Sequence, residues 1–220
     1  MTSYLEYKAK IVECTQWLSQ HGYFGTLRGS GGNVSMRIER EEAYVITPSG
    51  LAYDQLTPED MCVLDFEMKP IEGKRKPSVE SGFHLEVYKR RPDISAVIHT
   101  HQIHASTLAV LKKPIPPLFD EVSLSLGHVV DVIPYALSGS PELIENVAGK
   151  LDNMCHGYLM QNHGALALGA TLEKAWLNVE LLEKTAKIYL AGLATGLTPE
   201  QLPQDIVDLL KELRKGGYTG

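Results

Sequence analysis

Four residues carry the chemistry that this 220-residue sequence could perform: His99, His101, His163 and Glu80. His99 and His101 stand two residues apart at the end of the strand-like run Ala96–Ile98, and residues i and i+2 of a strand project from one face. His163 ends a second strand-like run and could complete a facial set of three imidazoles. Such a set suits a catalytic divalent ion such as zinc, with an open position for substrate. The pattern predicts a metalloenzyme.

Glu80 stands at the start of a predicted helix and admits two interpretations. It is either an ordinary first-turn acid that complements the helix dipole, or a metal ligand and general base. The residues alone leave both open. We interpret His104 as a structural residue or one that supports the site, and we expect no function from the remaining histidines, His21, His84, His128 and His156.

Three short loops carry groups that could bind an anion. The segment RGSGGNVS offers backbone amides together with Ser30 and Asn33. The segment TPSG offers Ser49 and the Gly50 amide, and Ser78 precedes a helix, where phosphate binds readily. Together with a metal site, these loops predict a phosphorylated or carboxylated small molecule as the substrate.

The elements that must position these residues follow a mixed α/β order, which predicts a central sheet with helices on its faces. We expect one domain over residues 1–220. The periodicity predicts helices over 4–20, 79–90, 104–111, 141–153, 171–194 and 203–214. It predicts strands over 33–38, 43–47, 61–66, 96–101, 129–134, 158–161 and 165–168.

Composition excludes several classes of function. The net charge of −6 argues against nonspecific nucleic-acid binding, so we expect no nucleic-acid partner. The charged N-terminal segment does not resemble a signal peptide, and no apolar run is long enough to span a bilayer, so we expect no membrane association. Three widely spaced cysteines favour free thiols in a reducing compartment, which predicts a cytoplasmic protein: Cys14, Cys62 and Cys155.

Five motifs, GSGGNVS, ITPSG, KPSVE, RPDISAVIHTHQIHA and QNHGAL, occur in an order and spacing that resemble the class II aldolase/adducin family. The similarity is strongest to its branch of fuculose-1-phosphate aldolases and ribulose-5-phosphate 4-epimerases. The resemblance implies a three-layer α/β/α fold around a mostly antiparallel sheet. It also implies a fourfold homotetramer with sites between neighbouring subunits.

Residue by residue, the resemblance makes His99, His101 and His163 ligands of Zn²⁺, with Mn²⁺ or Co²⁺ as alternatives. Glu80 matches an acid that first binds the ion and then acts as base. The implied reaction cleaves a small ketose 1-phosphate to dihydroxyacetone phosphate and an aldehyde through a metal-stabilised enediolate. The implied phosphate cradle comprises Ser30, Asn33, Ser49, Gly50 and Ser78.

Three positions depart from the family pattern. Val79 replaces a second serine of the cradle, and Asp120 stands where the aldolases place a tyrosine that donates a proton from the neighbouring subunit. The resemblance makes Asp120 a candidate catalytic residue that could transfer protons to a neighbouring site, as the epimerases use an aspartate from that neighbourhood. It also makes Tyr218 a candidate catalytic residue, in place of a C-terminal tyrosine that closes over the site, with an offset of two residues. The alternatives are decarboxylation of a 3-keto sugar acid, 4-epimerisation of a ketopentose phosphate, which Glu80 disfavours, and a non-enzymatic adducin-like assembly scaffold.

Overall fold

In the computed structural model, which describes residues 4–26 and 29–217, seven α-helices and eight strands follow one another. The helices are α1 Tyr4–Gln20, α2 Ser81–Arg90, α3 Ile103–Val110, α4 Asp120–Ser125, α5 Pro141–Ala148, α6 Leu172–Ala194 and α7 Gln204–Lys215. The strands are β1 Asn33–Arg37, β2 Ala43–Ile46, β3 Cys62–Asp65, β4 Pro70–Glu72, β5 Ala96–Thr100, β6 Asp131–Ile133, β7 Gly157–Met160 and β8 Gly164–Gly169.

The strands form one sheet in the order β4-β3-β2-β1-β5-β8-β7-β6. Every neighbouring pair in that order is antiparallel except β6 and β7, which run parallel. Helices α1 and α6 cover one face of the sheet, and helices α2 and α5 cover the other. The three-layer α/β/α fold with a mostly antiparallel sheet, expected from the resemblance, is therefore confirmed.

Strand β5 lies near the middle of the sheet and is buried along its whole length. Ala96 and Ile98 point into the core formed with α1 and α6, whereas Val97 points into the core formed with α2 and α5. Because side chains alternate along a strand, His99 shares the face of Val97 and is directed toward α2. The register pairs Asn33 of β1 with His99, so the first residue of β1 faces the same helix.

The structure differs from the sequence-based expectations at three elements. Helix α4, Asp120–Ser125, was not predicted, because its six residues are too few to show a helical period. Strand β4 was not predicted, because its three residues are all exposed and show no alternation of apolar and polar side chains. Helix α5 ends at Ala148, whereas the prediction extended it to Asn153. The chain instead forms a 3₁₀ turn at Leu151–Asn153 and reverses at Met154, whose φ of 58° is left-handed.

Two further expectations concern the chain as a whole. All three cysteines lie in the described part of the chain, where they are buried and form no disulfide. Among the helices of residues 4–26 and 29–217, none combines the length and apolar character that crossing a bilayer requires.

Gly32 lets the glycine-rich loop lie directly against β5. Its φ of 74° is left-handed, and a Cβ built there would be 2.4 Å from the carbonyl oxygen of His99 and 2.6 Å from the ring of Phe24. Only a residue without a side chain fits, so this glycine allows the loop to reach the end of the strand that carries His99.

We expect Gly32→Ala to lower the free energy of unfolding more than Gly22→Ala does. Both glycines have left-handed φ, so each alanine costs about 1–2 kcal/mol of backbone energy. Only the Gly32 variant adds overpacking, about 1–3 kcal/mol, because nothing lies within 4 Å of a Cβ at Gly22. Urea unfolding of both variants measures the difference, and equal losses would contradict the close packing of this loop.

Candidate active site

The three predicted histidines meet where strands β5 and β8 lie side by side. His99 is in β5, His101 follows that strand, and His163 lies in the turn between β7 and β8. The antiparallel register pairs Thr100 with Ala165, which brings the end of β5 next to the start of β8. The Nε2 atom of His99 is 3.0 Å from Nε2 of His101 and 3.2 Å from Nε2 of His163.

This donor set fits a metal ion. The Nδ1 atom of His99 lies 2.9 Å from the carbonyl oxygen of Ala165, so Nδ1 carries the proton and the Nε2 lone pair faces the other two rings. One ligand atom from each ring lies within 4.8 Å of the others. Tetrahedral zinc with Zn–N bonds of ~2.05 Å would separate its nitrogen ligands by ~3.3 Å, close to the spacing observed.

The electrostatic surroundings keep two of these rings in the form that binds a cation. Burial, reinforced by the neighbouring histidines, lowers the pKa of His101 to about 3. Burial also lowers the pKa of His163 to about 4, with His99 as the second cause. Both imidazoles are therefore neutral at pH 7, as metal ligands must be.

Two backbone features hold the His163 turn against β5. Asn162 adopts a left-handed φ of 54°, which suits asparagine better than most residues. A Cβ at Gly164 would be 2.2 Å from the carbonyl oxygen of Thr100 and 2.8 Å from the His101 ring. The motif QNHGAL thus combines a turn residue, a candidate ligand and a glycine that permits close approach.

Glu80 faces the same cluster from α2. It occupies the N-cap position of α2 and is only 5% exposed. Its Oε2 atom is 3.4 Å from Nε2 of His99, and its Oε1 atom is 3.3 Å from Nε2 of His163. The side chain therefore points at the imidazoles and not only along the helix axis. The geometry supports the functional interpretation of Glu80 over that of an ordinary first-turn acid.

Two side chains donate hydrogen bonds to the Glu80 carboxylate. Nδ2 of Asn33 is 2.7 Å from Oε2, and the Ser138 hydroxyl is 2.7 Å from Oε1. Burial alone would raise the pKa of Glu80, but the two facing imidazoles and the two donors outweigh it and lower the pKa to about 2. Glu80 is therefore ionised at neutral pH.

The loops predicted to bind an anion lie together beside Glu80. The Ser49 amide donates to the Lys76 carbonyl (2.9 Å) and the Ser78 amide donates to the Thr47 carbonyl (3.1 Å), which joins the TPSG and KPSVE segments. The Val34 amide donates to the Thr47 hydroxyl (3.2 Å), so the glycine-rich segment ends at the same place.

The five predicted cradle residues differ in their surroundings. Ser30, Ser49 and Gly50 are exposed and can meet a ligand. Asn33 and Ser78 are buried and hold Glu80: Asn33 donates to its carboxylate, and the Ser78 hydroxyl accepts from its backbone amide at 3.2 Å. The loops therefore combine an exposed polar rim with a buried support for the carboxylate.

Two of the positions that depart from the family pattern lie outside this network, and the third is not among the described residues. Asp120 begins α4, is exposed, and makes no hydrogen bond or ion pair with the histidines or Glu80 within residues 4–26 and 29–217. Tyr218 lies outside the described residues. Val79, the residue before Glu80, is 66% exposed.

Two residues that contribute to the site were not predicted from the sequence: Ser138 and His84. Ser140 caps α5, whereas Ser138, two residues earlier, donates to Glu80. His84 was given no function, yet its Nε2 atom bonds to Oδ1 of Asn33. Burial lowers the pKa of His84 to about 3, so its ring is neutral. The available signal was the four-residue spacing from Glu80 to His84 on one helix.

His104 behaves as expected for a structural residue. Its Nδ1 atom lies 2.6 Å from the Glu183 carboxylate, whose oxygens also accept from the backbone amides of His104 and Ala105. The carboxylate thus binds the first turn of α3, where unpaired amides favour a negative charge. His104 is engaged away from the three-histidine cluster.

The sequence is similar to those of known aldolases. The model of the class II aldolase and adducin N-terminal domain matches residues 9–190. The chain is 37% identical over 195 residues to an L-fuculose phosphate aldolase of Escherichia coli O6:H1, covering 88% of each protein. It is 40% identical over 167 residues to a 5-methylthioribulose-1-phosphate/5-deoxyribulose-1-phosphate aldolase of Escherichia coli O45:K1, covering 76% of each.

The fold is also similar to that of a known aldolase. A solved structure of an L-fuculose 1-phosphate aldolase superposes with a TM-score of 0.89 at 32% identity, covering 97% of each chain. The match spans nearly all of the sheet, the helices and the loops described above. On the family model, the sequence relatives and the fold together, the chain belongs to the class II aldolase/adducin family, as one of its aldolases, which are lyases.

Proposed function

We propose that this aldolase uses a divalent metal ion, Zn²⁺ before Mn²⁺ or Co²⁺, to cleave a small ketose 1-phosphate to dihydroxyacetone phosphate and an aldehyde. One observation carries the proposal: three imidazoles converge within 4.8 Å, and a buried carboxylate faces them at 3.3–3.4 Å. The relatives that act on fuculose phosphate and on methylthioribulose or deoxyribulose 1-phosphate support the substrate class.

The histidines would hold the ion through one nitrogen each, and the rim of the site would remain open to substrate. A bound divalent ion supplies Lewis-acid stabilisation of the negative charge that develops on substrate oxygens as the carbon–carbon bond breaks. The chain contributes the arrangement of neutral imidazoles, which burial keeps unprotonated.

Glu80 would move the proton. A carboxylate with a pKa near 2 is a weak base, because its affinity for a proton is low. If substrate displaces Glu80 from the facing imidazoles, the pKa rises toward its ordinary value and the carboxylate becomes a better proton acceptor. Its two donors, Asn33 and Ser138, each bind one of the two carboxylate oxygens.

The exposed rim residues Ser30, Ser49 and Gly50 would meet the phosphate, through hydroxyl groups and backbone amides. A second candidate activity is decarboxylation of a 3-keto sugar acid, which builds similar negative charge on substrate oxygens. The observation that favours it is Val79, which presents an apolar surface, 66% exposed, where a cradle hydroxyl was expected.

The homotetramer with sites between subunits belongs to the same proposal. Large exposed apolar side chains lie close in the chain to Glu80 or to its donor Ser138, and a second copy would remove them from water: Val79 at 66%, Tyr135 at 54% and Leu137 at 69% exposure. The role of Asp120 as a proton donor to a neighbouring site remains a prediction. The cytoplasmic location also remains a prediction, and the three free cysteines support it.

The experiment that tests the function follows two products in parallel. Metal-loaded protein is incubated with ketose 1-phosphates and with 3-keto sugar acids, and triose phosphate and carbon dioxide are measured. We expect triose phosphate from a ketose 1-phosphate. Carbon dioxide alone would favour the decarboxylase. The absence of both products with every substrate tested would favour the assembly scaffold.

We expect His101→Ala to lose bound metal while His104→Ala retains it. Removing one of three ligands should weaken metal affinity by more than the ~10–100-fold that follows loss of a group that only orients a ligand. Metal per chain after dialysis, measured by mass spectrometry, reports the result. His104 is the matched control, since it binds Glu183 instead. Equal metal content in both variants would remove His101 from the ligand set.

We expect Glu80→Gln to lower kcat by about 10²–10⁴-fold, the usual contribution of a general base, while the protein stays folded. The amide cannot accept the proton, although it has the same size. Glu86→Gln on the same helix is the control, because Glu86 pairs with Arg90 away from the cluster. Steady-state kinetics at fixed metal loading measures both, and an unchanged kcat in Glu80→Gln would exclude Glu80 as the base.

A further inference from the structure

His84 is the middle member of a chain of five hydrogen-bonded side chains that starts at the Glu80 carboxylate. All five are buried, and none is more than 5% exposed. Nδ2 of Asn33 donates to Glu80 at 2.7 Å, and Oδ1 of the same amide bonds to Nε2 of His84. Nδ1 of His84 lies 2.7 Å from the Ser35 hydroxyl, which lies 2.6 Å from the Tyr88 hydroxyl.

Only one arrangement of protons satisfies every link when Glu80 is ionised. A carboxylate only accepts, so Asn33 must present its amino group to Glu80 and its oxygen to His84. His84 must then carry its proton on Nε2 and accept from Ser35 on Nδ1. The Ser35 hydroxyl, having donated, accepts from Tyr88. The charge on Glu80 thus determines the direction of every bond in the chain.

The backbone explains why these residues meet. Glu80, His84 and Tyr88 are spaced by four along α2 and its N-cap, so they lie on one face of the helix. Asn33 and Ser35 are spaced by two on β1 and lie on the face of the sheet that α2 covers. The five side chains therefore alternate between helix and strand, each bonded to the next.

We propose that His84 is a positioning residue for the reaction: by holding the Asn33 amide in one orientation, it keeps the Glu80 carboxylate aligned with the three imidazoles. This inference rests on the function proposed above. Without the Nε2 donor of His84, the Asn33 amide can rotate about its last bond and turn its oxygen toward Glu80. Two acceptors would then face each other, and the carboxylate would lose one of its two donors.

A double-mutant cycle tests the inference. His84→Phe keeps the aromatic volume but removes the donor, and we expect kcat to fall about 10–100-fold, the scale of a small misplacement of a reacting group. We expect KM and metal per chain to stay near wild type. In the Asn33→Ala background the same change should cost nothing further, because His84 acts through Asn33. His84→Gln, which restores an amide donor, should recover most of the loss.

The controls separate positioning from general destabilisation. His156→Phe replaces another packed histidine at the opposite end of β7, and kcat per folded chain should stay within about twofold of wild type. An equal loss in that variant, or losses that multiply in the His84 and Asn33 double variant, would overturn the positioning role. A wild-type protein with neither cleavage nor decarboxylation would instead refute the proposed function.

A measurement on the wild-type protein needs no variant that might alter folding. Nitrogen-detected NMR of histidine-labelled protein at pH 7 should show His84 as the neutral tautomer protonated on Nε2. The Nδ1-protonated tautomer would reverse the chain and overturn the proposal, whatever the kinetics of the variants.

Discussion

The structure depends on one buried negative charge. The Glu80 carboxylate is 5% exposed, and an ionised group in such surroundings is stable only when it is paired and hydrogen-bonded. Two elements supply hydrogen-bond donors, Asn33 from β1 and Ser138 from the loop before α5, and the ends of β5 and β7 place His99 and His163 beside the carboxylate, where a bound cation would pair with it. Placing this acid therefore constrains the sheet order and the position of α2.

The same constraint explains the central position of β5 in the sheet. Because β5 lies between β1 and β8, its last residues have a neighbour on each side. On one side β1 brings Asn33 into register with His99, and on the other β8 begins directly after His163. A strand at the sheet edge could receive only one of these partners. The glycines at 32 and 164 then allow both neighbouring loops to approach.

Much of the fold and of the candidate site could be predicted from the sequence, and the exceptions have physical causes. The limits of α1 were predicted correctly, and the histidine spacing at a strand end predicted a cluster that the structure contains. Strand β4 has no alternation to recognise, since all of its residues are exposed. His84 and Ser138 were missed because their partners are distant in sequence, 51 and 58 residues away. No local pattern indicates the partner of Ser138, and for His84 the only local signal is its four-residue spacing from Glu80.

The spacing of the side chains on α2 and β1 makes the hydrogen-bonded chain sensitive to insertions. Four residues of a helix advance ~6.0 Å, and two residues of a strand advance ~6.6–6.8 Å. From Glu80 to Tyr88 the helix makes two such steps, and from Asn33 to Ser35 the strand makes one. Because the two advances differ by only ~0.7 Å, side chains of the two elements meet in turn, and the next strand residue on this face, Arg37, still donates to the Tyr88 carbonyl at 3.2 Å. A one-residue insertion in β1 would turn every later side chain to the other face of the sheet and away from α2.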